Sequence, residues 1–201
     1  ATVSGVPAID GSGFTLYALA TANSLSQTMT SRTGTSFSGI GGQFNSIDAN
    51  GNQLSTASGG VFTDTLGQTA LTGAGAPPSN TTLSYTAPSG ATAQYTVSYV
   101  SYTVKTNFGC GIGEYNVPGV YLVDRITLPD NSSYQFKYEE TPGDNDQTHV
   151  TARIATITLP TGGTIAYSYT GGNNGIVCAD GSTSGLTRTL NPGGQWTYTR
   201  T

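Results

Sequence analysis

A repeat constrains this chain more than any other feature. Val123-Asp124-Arg125-Ile126-Thr127-Leu128-Pro129 returns 31 residues later as Ile154-Ala155-Thr156-Ile157-Thr158-Leu159-Pro160, and the same offset carries Tyr138 onto Tyr169. A third copy follows, with Thr158-Leu159 matched by Thr189-Leu190, Gly162-Gly163 by Gly193-Gly194, and Tyr167 by Tyr198. Each copy reads as strand, tight turn, strand. The turns are Pro129-Asp130-Asn131-Ser132, Pro160-Thr161-Gly162-Gly163 and Asn191-Pro192-Gly193-Gly194, where Pro presets φ and Gly or Asn accepts a positive φ. One such hairpin cannot bury its own aromatic face, so the copies must stack or share a sheet.

Period two dominates the rest of the chain. Tyr134, Phe136 and Tyr138 alternate with Gln135, Lys137 and Glu139, which places the aromatics on one strand face. Ile165, Tyr167 and Tyr169 follow the same rule, as do Trp196 and Tyr198. Between Gln94 and Val104 both faces are apolar, with Tyr95, Val97 and Tyr99 on one and Val100, Tyr102 and Val104 on the other; this predicts a strand covered on both sides. Ala18–Leu25 lacks a second apolar helical turn and is read as strand or coil. Gly supplies 28 residues, and charged residues make up only 9% against the roughly 25% usual in soluble domains. Ser, Thr and Gly favour extended backbone and turns over helix interiors. The 12 Tyr, 6 Phe and 1 Trp argue against disorder. The expected fold is all-β, with antiparallel hairpin repeats forming a curled sheet or β-sandwich and negligible helix. Three regions are expected: an N-terminal extended segment (1–35), a first β domain (36–110) and the hairpin repeats (111–201).

A net charge of −4 with seven scattered basic residues speaks against a nucleic-acid partner, which needs clustered Lys and Arg. No apolar run of about 18 residues predicts a membrane-spanning helix. A start at Ala1 fits a product whose leader has been removed. Cys110 and Cys178 lie in Gly-rich turns. They are too few for a zinc site, which takes about four close Cys or His ligands. Two readings stay open here: a disulfide closing a long loop in an oxidising compartment, or two buried free thiols in the cytosol.

Ile126-Thr127-Leu128-Pro129-Asp130-Asn131-Ser132-Ser133-Tyr134-Gln135-Phe136-Lys137-Tyr138-Glu139, its counterpart Ile157–Tyr169, and Asp48-Ala49-Asn50-Gly51-Asn52 resemble the RHS or YD-repeat family of large exported bacterial proteins. The resemblance covers residues 40–200 and is best after Val120. It implies strand-turn-strand units in a long spiralling sheet, and an extracellular or cell-surface location. That setting favours the Cys110–Cys178 disulfide. The departures are specific: the Tyr-Asp of the family is Tyr138-Glu139, Tyr169-Thr170 and Tyr198-Thr199 here. The chain is too short for a toxin-enclosing shell and has no aspartate-centred cleavage motif, so toxin delivery is not carried over.

Few residues suggest chemistry. His149, the single histidine, follows the polar stretch Asp144-Asn145-Asp146-Gln147-Thr148 and reads as a solvated loop residue, with no Gly-x-Ser-x-Gly elbow in the chain. Glu139, Glu140, Asp144 and Asp146 are weak candidates for Ca²⁺. No other cofactor is expected. Asp48, Asn50 and Asn52 match part of a calcium loop but lack its bidentate Glu. Gly109-x-Gly111-x-Gly113 has no following helix to bind a phosphate. Glu114 and Glu139 could form a glycosidase pair only by convergence in the fold.

The expected function is therefore non-enzymatic: an extracellular structural subunit forming a head-to-tail homopolymer by β-strand addition. The alternative is a cell-surface module that binds glycan or protein, with a glycoside-active enzyme behind both. The expected connector is Gly11–Thr30, uncharged between Asp10 and Arg32, with Phe14, Leu16, Ala18 and Ala20 on one face as a strand donated to a neighbour. Residues 11–30 could equally be the first strand of their own sheet.

Overall fold

The computed structural model describes residues 2–40, 43–56, 60–178, 181 and 183–200. The all-β architecture expected from the alternation is what is found. Each strand is hydrogen-bonded to its neighbour in sequence, in an antiparallel meander. The single helical segment among the described residues, Gly172–Gly175, contains left-handed φ values at Asn173 and Asn174 and so is a tight turn in effect.

The chain divides into two compact units. The first comprises Ala1–Ala74 and Leu83–Ala93. It is built on β1 (Thr2–Pro7), β2 (Thr15–Ala20), β3 (Leu25–Thr30), β4 (Ser36–Ile40), β5 (Gln43–Ile47), β6 (Gln53–Thr56), β7 (Val61–Asp64), β8 (Thr69–Ala74) and most of β9 (Thr81–Thr86). The first 35 residues, expected as an extended segment, thus form β1, β2 and β3. One cross-strand row is apolar: Val6 lies opposite Leu16, Leu16 opposite Met29, and Met29 opposite Phe37. Val6, Leu16 and Met29 remain exposed. Asp10, Arg32, Asp48 and Asp64, the unit's acidic and basic residues, all sit in hairpin turns or at their base.

The second unit, Gly75–Thr82 with Gln94–Thr201, holds most of β10 (Thr92–Lys105), and β11 (Asn116–Thr127), β12 (Ser133–Glu140), β13 (His149–Thr158), β14 (Thr164–Gly171), β15 (Ser184–Asn191) and β16 (Gln195–Arg200). One pairing breaks the neighbour rule. β13 runs parallel to β10 at Thr103–His149 and Val104–Val150, closing β10 to β13 upon themselves. The core sits there: among the described residues the buried ones are Val104, Val150 and Cys178, with Thr141 and Thr151. The expectation that β10 is covered on both faces is corrected. Val100 is exposed and only Val104 is buried, at the end of the strand where β13 pairs alongside β10.

The repeat has a structural counterpart. Leu128 N donates to Ser132 O, Leu159 N to Gly163 O and Leu190 N to Gly194 O, at 2.8, 2.8 and 2.9 Å. Tyr138 OH donates to Val123 O and Tyr169 OH to Ile154 O, so both the tyrosine and its acceptor carbonyl move by one repeat. Burial pushes both phenols above their ordinary pKa. The same five-residue turn also recurs in the first unit, starting at Ser31, Asp48, Asp64 and Ala87. In six of the seven turns the fourth residue, Gly or Asn131, has φ between 68° and 87°, which a side chain beyond Asn tolerates poorly. All seven join an odd-numbered strand to the next even-numbered one.

Candidate functional site

Two places in the second unit have more organisation than the meander requires: a loop cluster and a sheet edge. The loops that follow β10 and β14 are tied together covalently, and the loop after β12 joins them by hydrogen bonds. Cys110 and Cys178 form a disulfide with Cα atoms 6.0 Å apart, so the loop closure favoured by the family resemblance is present. Asn107 Nδ2 donates to Pro142 O at 2.8 Å and Asn174 Nδ2 to Asn107 O at 3.1 Å, linking all three loops.

Arg153, on β13, anchors this cluster. Its Nε and Nη2 donate to the two carboxylate oxygens of Glu139 at 2.7 Å each, a bidentate geometry only Arg provides. Nη1 donates to Asn174 O at 2.9 Å. The guanidinium also lies 4.0 Å from the ring centroid of Tyr169 and 4.7 Å from that of Phe108. Thr151 Oγ1 completes the Glu139 shell at 2.6 Å.

Asp144 is the second anchor. Its Oδ2 accepts from Lys105 Nζ at 2.7 Å and is hydrogen-bonded to His149 Nδ1 at 2.9 Å; Oδ1 accepts from Asp146 N at 3.0 Å. Lys105, the Asp146 amide and His149 together hold its carboxyl well below the usual range. The reading of His149 as a solvated loop residue is corrected: it is the first residue of β13, half-buried, and its Nε2 lies 3.5 Å from Asp146. The parallel contact with β10 draws it inward.

Stability should therefore fall in acid. A carboxyl whose folded pKa is depressed contributes stability above its unfolded value and loses it as pH falls through the folded one. Urea midpoints should drop as pH passes below the ordinary aspartate value of 3.8 and keep dropping at lower pH. Asp144→Asn should flatten that slope, and an unchanged slope would remove Asp144 from the account.

The four carboxylates named as calcium candidates do not converge. Glu139 faces Arg153, Asp144 faces Lys105 and His149, and Asp146 accepts from Thr148 N at 2.9 Å. Glu140 pairs in register with Val150 on the neighbouring strand. Among the described residues no group of three or more His, Cys, Asp or Glu is placed to hold a metal ion. Asp48 serves its own turn, accepting from Asn50 N, Asn52 N and Asn52 Nδ2. Glu114 accepts from the backbone of Phe108 and Gly109, while Glu139 lies against Arg153.

The proposed donor strand lies inside its own sheet. Leu16, Ala18 and Ala20 belong to β2, paired on one side with β1 and on the other with β3; Phe14 immediately precedes it. Its two ladders leave no free edge to donate. The edges are β1 and β16, and they differ. β1 has a bulge between Val3 and Val6, with Gly5 at φ 60°, and ends in Pro7, which has no N–H; bulges and proline are how natural edges are blunted.

β16 has neither device. Bonded pairs alternate along an antiparallel ladder, so the Leu190–Gly194 bond sets the phase for Arg188–Trp196 and Leu186–Tyr198. Gln195, Thr197 and Thr199 consequently turn their N–H and C=O groups away from β15. The aromatic face of the strand is open as well: Trp196 and Tyr198 are exposed, and Arg188 stacks 4.7 Å from the Trp196 ring. Among the described residues β15 is the only sheet neighbour of β16. No helix of the described residues is long and apolar enough to cross a membrane. No family model matches this chain, and neither a curated protein nor a solved structure matches it.

Proposed function

We propose that this chain is a structural subunit of an extracellular assembly, and that its sheet is continued by strand addition at β16. The unbulged and proline-free edge Gln195–Arg200, which has β15 as its only sheet neighbour among the described residues, carries this reading. Such an edge offers a row of unpaired main-chain groups that give affinity, while alternate side chains set register. The disulfide supports an oxidising compartment. The exposed rings of Trp196 and Tyr198 on that strand support a sheet completed by a neighbour.

Thr197→Pro tests the proposal. Its N–H points away from β15, so proline there leaves the intrachain ladder intact and removes an outward donor. Wild-type protein should sediment heavier than a monomer in a concentration-dependent way and form assemblies visible by negative-stain microscopy. The variant should keep its β-sheet circular dichroism and sediment as a monomer. Equal association of the two proteins would refute addition at this edge.

A further inference from the structure

We infer that the first unit carries a binding site for a neutral polysaccharide, on a face shared by β3, β4, β5 and β6. Ser26, Ser38, Gln43, Asn45, Gln53 and Ser55 line a cavity of about 460 Å³ there, within the size range of small-ligand sites. The ladders explain why they gather. Ser38 lies opposite Asn45, and Asn45 opposite Ser55. Gln43 stands two residues from Asn45 on β5, and Gln53 two from Ser55 on β6. Ser26 joins them through Ile40, which pairs with Ser26 on one side and Gln43 on the other. Cross-strand partners and every second residue share a face, so all six side chains stand together, on the face opposite the apolar row of Leu16, Met29 and Phe37.

The chemistry of the lining selects the ligand. Amides and hydroxyls each donate and accept hydrogen bonds, and sugar hydroxyls do the same. Among the described residues no charged side chain lines the cavity, so it lacks the cation that recognition of a carboxylate, sulfate or phosphate uses. An apolar ligand would leave its polar groups unpaired, at a cost. A peptide is read mainly through its main chain at a strand edge, whereas these side chains stand on a face. One atom points to a missing partner. Asn45 Oδ1 is closed off from solvent and accepts no hydrogen bond, while the hydroxyl of its register partner Ser55 is already engaged with Thr63 Oγ1 at 3.1 Å. Buried acceptors without donors are rare and lower stability. A turn about χ2 of Asn45, a soft torsion, brings Oδ1 to the cavity, where a ligand hydroxyl supplies the donor. The site lies wholly in the first unit and is separate from the β16 contact. It adds to the proposed subunit a means of fastening its assembly to surrounding polysaccharide.

Titration calorimetry with the neutral hexasaccharides of cellulose, starch, laminarin and mannan, beside polygalacturonate, tests the site. At least one neutral hexasaccharide should bind, and polygalacturonate should not. Asn45→Leu should weaken that binding about tenfold or more while its urea midpoint stays level or rises, because the change removes a stranded acceptor from the free protein. A residue with only a structural role gives the reverse, a lower midpoint with binding unchanged. Gln43→Ala, at an exposed position, should weaken binding without touching the fold, and it decides the matter if Asn45→Leu fails to fold. Thr197→Pro should bind as the wild type does, so loss of strand addition and loss of this site are read separately. Binding of polygalacturonate in place of the neutral sugars, no binding of any neutral hexasaccharide, or unchanged binding in the Asn45 and Gln43 variants overturns the inference.

Discussion

Replacing Cys110 and Cys178 together with alanine should lower the unfolding free energy by about 4 kcal/mol, because the bond closes a loop of 68 residues and removes that freedom from the unfolded chain. Removal also deprives the loops after β10 and β14 of their covalent tie, leaving the Asn107 and Asn174 hydrogen bonds to hold them. Urea titration of the double variant beside the wild type measures the loss. Loop closure predicts a lower midpoint, and equal midpoints would show that the unfolded chain gains nothing from the cut. Amide exchange should accelerate first in residues 106–115 and 172–178, ahead of the strands.

Arg153→Ala should cost nearly as much, about 3 kcal/mol. The substitution strips Glu139 of its bidentate partner while that carboxylate is still largely shielded by Thr151 and the neighbouring strands. It also removes the cation from the Tyr169 and Phe108 rings and the donor from Asn174 O. Arg153→Lys separates these contributions. A lysine keeps the charge but cannot make the fork or the flat stack, so it should recover only part of the loss. Full recovery by lysine would mean that charge alone matters at this position. Pairing Arg153→Ala with Glu139→Gln should cost less than the sum of the two, since the second change removes the stranded charge.

The parts of this architecture that were legible in the sequence are those written in local pattern. Leu-Pro at 128–129 and 159–160, followed by Asn131 and Gly162, announces a turn type from its φ requirements. The alternation around Tyr138 and Tyr169 announces the strands that follow. The turns at Ser31, Asp48, Asp64 and Ala87 are of the same kind but lie 17, 16 and 23 residues apart, so no fixed offset exposes them as a set; only the glycine in fourth place is shared. The Arg153 cluster has no local signature at all. Its partners come from positions 108, 139, 169 and 174, and only the parallel pairing of β13 with β10 explains why a loop carboxylate, Asp144, meets Lys105 and His149.

Alternation also says nothing about where a sheet stops. Leu16, Ala18 and Ala20 have the pattern of a donated strand and of an interior one alike, because both present one apolar face. What separates an interior strand from an edge is whether its main-chain groups are already taken. At β1 that was readable in retrospect from Gly5 and Pro7, two residues apart, a pairing of bulge former and missing donor. At β16 the signal is the lack of any such device between Gln195 and Arg200.

The neighbour-to-neighbour order of the strands also shapes the route by which the chain reaches its native state. Every ladder but one joins residues a short loop apart, and closing a short loop costs little entropy. Isolated hairpins of this kind form in about 1–10 μs, and each can begin at its own turn without waiting for the others. The exception is the β10–β13 contact, which brings Thr103 to His149. Its partners become adjacent only after β11 and β12 have folded back between them. The Cys110–Cys178 bond has the same dependence, since its loops are displayed by β10 and β14. The core around Val104 and Val150 should thus be among the last parts to assemble, so oxidation of the thiols would record the end of folding and not its start.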